Sequence, residues 1–339
     1  MPLDIEDSAA LIDYLRVQGH IAPNETPSVR NLRGGVSNRT VWVERASGDQ
    51  WVLKQALAKL RVQADWFSSV ERIHREAAGL RWLSRALPKG TTPRFVFEDQ
   101  AEHILAMSAV PLPHENWKTR LLAGHIDLPY MQQFGQILAA IHHSLERDPV
   151  EAQAAFGDQS FFESLRLEPY YAYSAEQVPA AAAFLHNLID ETRGRKLALV
   201  HGDYSPKNVL IDAERLIILD YEVIHVGDPA FDLGFSLTHL LSKALYLPDH
   251  RRELYEGALR YWQSYQSALG SPTWSATLEA YAVRHTLACL LARVAGRSPL
   301  EYLSPAQRER QQQIVLDLIA NLPPSIPQLI TAYHDRLSP

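Results

Sequence analysis

The sequence predicts an α+β fold: a small antiparallel sheet built from the first third of the chain, followed by a larger, mainly helical part. Three observations carry this. Short apolar runs bounded by turn residues crowd positions 29–108, as strands do. From Trp117 onward, apolar residues recur at helical spacing almost to the end. The helical pattern breaks around 199–222, where an apolar run, a polar loop, a second apolar run, a turn at Asp212 to Arg215 and a third apolar run end in an acid.

In order, Asp7 to Val17 places Leu11, Ile12 and Leu15 at helical spacing, with Asp4 or Asp7 as the cap. Val29 to Arg33, Thr40 to Arg45 and Trp51 to Gln55 read as strands, the last two joined by a turn at Ser47-Gly48-Asp49. Between the first two lies Arg33-Gly34-Gly35-Val36-Ser37-Asn38. Glycines let backbone approach a phosphate and successive amides form an anion nest, but a Gly-Gly hairpin turn fits the same letters. The third strand carries Lys54, which reads either as an edge lysine pointing to water or as a phosphate ligand. Val70 to Leu87 is a helix, with Val70, Ile73, Ala77, Leu80 and Leu83 on one face. Arg94 to Phe97 and His103 to Ser108 form a hairpin.

Helices then follow at Trp117 to Leu122, Leu128 to Leu145, Phe156 to Leu167 and Ala180 to Arg193. Beyond the interruption they continue at Phe231 to Leu245, Arg252 to Leu269, Ala276 to Arg293, Pro305 to Leu322 and Ile326 to Leu337. There is no internal repeat and no low-complexity linker, and Pro323-Pro324 marks a helix boundary.

Composition narrows the function classes. The 339 residues are 46% apolar and 21% charged, an ordinary globular balance with length for one large or two ordinary domains. A net charge of −6 offers no basic footprint for nucleic acid. Cys289 is the single cysteine and lies in an apolar helical pattern, so an internal disulfide is impossible and a reducing compartment is expected. Residues 1–20 lack the basic flank and apolar centre of a signal peptide, and no apolar run is long enough to cross a bilayer. The expectation is a cytoplasmic protein with no membrane partner.

The interruption carries the chemistry. Leu199-Val200-His201-Gly202-Asp203 through Asn208, then Leu219-Asp220-Tyr221-Glu222, puts Asp203, Asn208 and Asp220 at the mouths of neighbouring strands. Two carboxylates and an amide oxygen suit a hard cation, and magnesium takes one or two protein carboxylates together with substrate phosphates. Phosphoryl transfer follows. In the kinase plan the loop acid orients the acceptor hydroxyl, and the Asn and later Asp hold the metal. Those parts fall to Asp203, Asn208 and Asp220.

This segment resembles the catalytic core of the aminoglycoside phosphotransferase and choline kinase superfamily of protein-kinase-like small-molecule kinases. His201-Gly202-Asp203 through Asn208 matches the H-G-D-x-x-x-x-N loop, and Gly227-Asp228 through Asp232-Leu233 matches the helix-opening G-D-x-x-x-D-L. The resemblance implies a two-lobed fold that uses ATP and Mg2+, with a nucleotide lobe over 1–106, a hinge at 107–111 and a catalytic and acceptor lobe over 112–339. It implies a phosphate loop at Gly34, Gly35, Ser37 and Asn38, and Lys54 on the phosphates, paired with Glu76, for which Glu71 is an alternative. Adenine would meet the hinge backbone at Met107 and Ala109. Recognition through backbone accommodates GTP as well as ATP. Asp228 and Asp232 read as structural, capping a helix and holding the catalytic loop, and His201 as a structural hydrogen-bonder.

Two features separate this chain from protein kinases. Ser205 stands where their loop carries a lysine, and Gly227-Asp228 follows Asp220 too closely for a peptide-positioning segment ending in A-P-E. The expected acceptor is a hydroxyl of a small molecule. His114-Glu115-Asn116-Trp117-Lys118 and the stretch from Arg284 through Arg293 to Arg297 are candidate acceptor walls, the latter distantly resembling methylthioribose kinases, although a solvated helix face fits the same arginines. The C-terminus lacks the acidic run expected for aminoglycosides, and Tyr170, Tyr171, Tyr173 and Trp262 could build an aromatic cage for choline only if they converge. Sugars, amino sugars, methylthioribose and amino alcohols stay open as acceptors, as does the oligomeric state. The competing readings are a nucleotide-binding regulator without catalysis and a protein kinase.

Overall fold

A computed structural model describes residues 3–32, 35–61 and 66–337. The chain divides into two compact units, Met1–Leu112 and Pro113–Pro339.

The first unit is a five-stranded antiparallel sheet with two helices. Its strands are β1 (Ser28–Asn31), β2 (Asn38–Glu44), β3 (Gln50–Ala56), β4 (Phe95–Asp99) and β5 (Ile104–Ser108), in the order β1-β2-β3-β5-β4. Alternation sends Val41, Val43, Trp51 and Leu53 to one face, where they pack with Leu11 and Leu15 of α1 (Ser8–Val17). Each such Val or Leu is worth roughly 1.5–3 kcal/mol when fully buried. Asp7 caps α1, accepting the N–H groups of Ala9 and Ala10. The opposite face takes α2 (Arg72–Ala86), which buries Ile73, Ala77, Leu80 and Leu83. Because β3 pairs with β2 on one side and β5 on the other, Lys54 is on an interior strand; the edge-lysine reading fails.

The second unit is mainly helical. It opens with β6 (Glu115–Asn116), α3 (Trp117–Leu122), α4 (Leu128–His143) and α5 (Pro149–Phe156). A continuous helical run follows, made of α6 (Ser160–Phe162), a π-helical segment (Glu163–Ala172) and α7 (Tyr173–Gln177). The helix expected at Phe156 to Leu167 is therefore displaced and widened. Pro169 lies inside it, lacks an N–H and would clash with an ordinary α-turn, and a π-turn makes room for its ring.

Next come α8 (Ala182–Gly194), β7 (Ala198–Val200), β8 (Val209–Asp212), β9 (Arg215–Ile218) and β10 (His225–Gly227). β7 pairs with β10, while β6, β8 and β9 form a small sheet. The unit closes with α9 (Pro229–Tyr246), α10 (Arg251–Leu269), α11 (Leu278–Ala295), α12 (Pro305–Ala320) and α13 (Ile326–Leu337). α9 is buried from Pro229 to Leu245, as an apolar helix flanked by α10, α11 and α12 must be. The strands thus stand on a rigid helical floor and deliver the loop between β7 and β8.

Candidate active site

In the first unit, β3 presents Lys54 and α2 presents Glu76. Their Nζ and Oε1 are 2.6 Å apart, and Glu76 is 1% exposed. Glu71 is 62% exposed and faces His103 instead, which decides between the two acids.

The glycine loop is shaped from beneath by a residue that sequence reasoning missed. Arg72 is fully buried and donates to the carbonyls of Ser37, Leu57 (2.8 Å), Ser68 (3.2 Å) and Ser69 (2.9 Å). Only a guanidinium has enough donors to collect four carbonyls from three segments. Ser37 and Asn38 are buried, with Asn38 Nδ2 donating to Ser37 Oγ at 3.1 Å, so they serve the loop's shape, while Gly35 is exposed. Gly34 lies outside the described residues. Met107 is buried in β5, and the N–H of Ala109 is donated to the Gln50 carbonyl at 2.8 Å.

In the second unit, Asp203 follows β7 on a loop tied down at every residue. Gly202 has φ +78°, and a Cβ there would lie 2.7 Å from Val223 Cγ1, so only glycine fits. Asp232, in the first turn of α9, accepts the N–H of His201 at 2.7 Å and of Gly202 at 2.8 Å. His201 is buried, takes the N–H of Asp203 on Nδ1 (3.2 Å) and donates from Nε2 to the Leu219 carbonyl (3.2 Å). Burial lowers its pKa against the pull of Asp232, Asp203 and Asp220, which keeps the ring neutral for both bonds.

The Asp203 carboxylate is held on both oxygens. Asn208 Nδ2 donates to Oδ2 at 2.7 Å, and Arg166 Nη2 lies 2.9 Å from Oδ1. Arg166 is buried in the π-helical segment, donates from Nε to the Gly202 carbonyl at 2.7 Å, and stacks over Tyr170 and Phe235. No sequence signal pointed to it, because it is a π-helical residue remote from the loop in the chain.

Asn208 spends its amide on Asp203, leaving Oδ1 as the side chain's remaining acceptor. The Leu219 N–H donates to the Asn208 carbonyl at 2.9 Å, which brings Asp220 alongside. Asp220 has φ +73°, a conformation that costs a non-glycine residue about 1–2 kcal/mol and that collects at functional sites. An amide oxygen and a carboxylate on adjacent strand ends suit magnesium, so the donor set fits the metal the sequence implied. Asp228 caps α9 and pairs with Arg195 at 2.7 Å, a structural position.

Other sequence candidates stay apart. Tyr170 stacks on Phe235, Tyr171 bonds His285, Tyr173 lies under Arg297 and Trp262 stacks on Tyr265, so the four build no common cage. Arg284 pairs with Glu191 and Arg297 with Glu168, whereas Arg293 is buried and donates to Tyr170 Oη and Ser298 Oγ, each at 3.0 Å. Lys118 pairs with Glu301, and Asn116 caps α3 and donates to the Lys207 carbonyl, in the loop between β7 and β8, at 2.8 Å.

The phosphotransferase enzyme family matches residues 28–276, well over half of the sequence. The chain belongs to that family. This phosphotransferase-family chain is 22% identical over 268 residues to methylthioribose kinase 2 of Oryza sativa subsp. japonica, an alignment covering 69% of this chain and 62% of the relative. It therefore spans less than two thirds of that curated relative's length. Its fold is shared with a choline kinase from Cryptosporidium parvum Iowa II (TM-score 0.59, 14% identity, 98% of this chain and 99% of that one). It is shared too with a macrolide 2'-phosphotransferase from Brachybacterium faecium (TM-score 0.53, 19% identity, 93% and 98%). An amicoumacin kinase solved with AMP-PNP and Ca2+ gives TM-score 0.58 at 15% identity over 92% and 93%. These likenesses establish the protein-kinase-like fold.

Proposed function

We propose that this chain transfers the γ-phosphoryl group of ATP, with Mg2+, to a hydroxyl of a small molecule. The observation that carries the reading is the hold on Asp203, whose carboxylate is bound by Asn208 and Arg166 while Asp232 and His201 fix the backbone around it. A carboxylate immobilised at both oxygens is suited to orienting an acceptor hydroxyl and receiving its proton.

Magnesium would offset the charge of the nucleotide phosphates. Asn208 Oδ1 and the Asp220 carboxylate would hold it. Lys54, oriented by Glu76, steadies the phosphates, and the backbone at Gly35 would cover them, on the shape that Arg72, Ser37 and Asn38 give the loop. Met107 and the Ala109 carbonyl receive the base. In this reading 1–106 is the nucleotide lobe, 107–111 the hinge and 112–339 the catalytic and acceptor lobe. The relative named as a methylthioribose kinase favours a polyhydroxy acceptor. Among the described residues no helix is long and apolar enough to cross a membrane.

The test is ADP release with Mg-ATP across methylthioribose, simple and amino sugars, aminoglycosides, choline and ethanolamine. Turnover should fall by about 10²–10⁴ in Asp203→Asn while Mg-ATP binding persists. Wild-type chain that neither binds Mg-ATP nor turns over any acceptor would overturn the reading.

A further inference from the structure

We propose that Glu71, His74 and His103 form a zinc site, remote in role from the phosphoryl chemistry, that pins the start of α2 to the turn entering β5. His74 Nε2 and His103 Nδ1 are 3.2 Å apart, His103 Nδ1 and Glu71 Oε1 are 3.6 Å apart, and the three ligand atoms all lie within 4.8 Å of one another. Two bonds of 2.0–2.2 Å at a tetrahedral angle place their ligand atoms about 3.4 Å apart, so the two edges that meet at His103 match a zinc coordination shell.

The surroundings are those of a ligating histidine. His74 Nδ1 is 2.6 Å from Glu98 Oε1, and Glu98 is itself held by Arg81 at 2.6 Å. A carboxylate on Nδ1 keeps the proton there and leaves Nε2 bare, the tautomer that binds metal, and such outer carboxylates accompany histidine ligands generally. Glu71 and His74 are three apart at the start of α2 and so project from one side of it. His103 reaches them from the β4–β5 turn with φ +50°, a left-handed conformation rare outside glycine. Two imidazoles and one carboxylate are a borderline-soft set that prefers zinc to magnesium, and the partial exposure of all three residues leaves a fourth position for water.

Without metal, the short nitrogen–nitrogen contact requires His103 Nδ1–H to donate to His74 Nε2. Zinc takes that place on Nδ1, and the ring's proton moves to His103 Nε2, the other tautomer of the neutral imidazole. The ion would join α2, whose Glu76 orients Lys54, to the hairpin that supplies β5.

The experiment titrates chelator-treated full chain with Zn2+ alone, by calorimetry, and with Co2+ alone, by visible absorption. We expect one equivalent bound, and cobalt bands of tetrahedral intensity. Glu98→Gln should weaken zinc 10–100-fold, and His103→Gln more than that. Glu71 and His103 are exposed enough that Glu71→Gln and His103→Gln keep the fold. Zinc uptake in these two equal to wild type would overturn the proposal. So would failure of the wild type to bind, or uptake that disappears in Asp220→Asn, which would place the ion at the catalytic loop.

Discussion

At the scale of single residues, the charge beside Asp203 comes from an unexpected place. Protein-kinase loops carry a lysine where this chain has Ser205, and Ser205 is buried. Here Arg166 supplies the cation, and its planar fork spans Asp203 Oδ1 and the Gly202 carbonyl, two targets a lysine ammonium could not hold in one geometry. Replacing it by Met removes the bond to the Gly202 carbonyl and the pair with the Asp203 carboxylate, the latter worth about 1.5–3 kcal/mol. Arg166→Met should therefore lower kcat roughly 10–100-fold in the ADP-release assay while leaving Mg-ATP affinity near wild type. Equal losses in nucleotide affinity and kcat would instead assign Arg166 to the nucleotide. The lone cysteine shows the opposite outcome. Burial pushes the Cys289 thiol up to about 12, so it behaves as a core residue bonded to Tyr171.

At the scale of elements, two departures from ideal geometry sit beside the catalytic loop. The π-helical segment exists because Pro169 interrupts the helix, and the widened turn is where Arg166 leaves toward Asp203. The β8–β9 hairpin is closed by Ala213 and Glu214 at φ +44° and +65°, a type I′ turn that favours Asn-Gly. Ala213→Asn with Glu214→Gly should stabilise the chain by about 1–2 kcal/mol, read as a higher denaturant midpoint with unchanged slope. Because Gln133 holds this turn through the Glu214 carbonyl and the Leu216 N–H, both backbone groups, the double change leaves those bonds in place. The strands were legible in the sequence because alternation and turn residues are local signals. The helix near Phe156 was misplaced because the pattern carries no mark of a π-turn.

For the whole molecule, stability should fall as the solution is acidified. Lys243 is fully buried on α9 and, among the described residues, forms no ion pair. It donates to the His239 carbonyl, and burial, reinforced by Lys118, pulls its pKa from 10.5 down to about 7. The unfolded chain takes up this proton first, so stability is lost as pH falls from 10.5 to about 7 and the deficit is constant below. Lys243→Met should raise the melting temperature, by a margin that grows toward pH 7 at roughly 1.4 kcal/mol per unit. His201, lowered by burial, adds stability that is complete above 6.5 and decays as pH drops below it. Burial pushes the Asp232 carboxyl up, but bonds from His142 and the Gly202 N–H outweigh it and hold the group below 3.8, so that contribution is lost only under stronger acid. Melting scans from pH 4 to 10 check this. The variant should lose the slope above pH 7 and keep the acid limb, and an unchanged alkaline slope would refute the role given to Lys243.

The order of sheet and helices could be read from the sequence alone, as could the loop carrying Asp203, Asn208 and Asp220 and the pairing candidates Lys54 and Glu76. Each lies in a short segment where residue type and spacing are fixed by local backbone geometry. Only the tertiary structure decided that Glu76 rather than Glu71 meets Lys54, that Arg166 and Arg72 grip backbone from distant segments, that the four aromatic candidates stand apart, and that His74 and His103 meet. Those outcomes depend on which helix face packs against which strand, and packing is set by the summed burial of many residues rather than by the letters at the site.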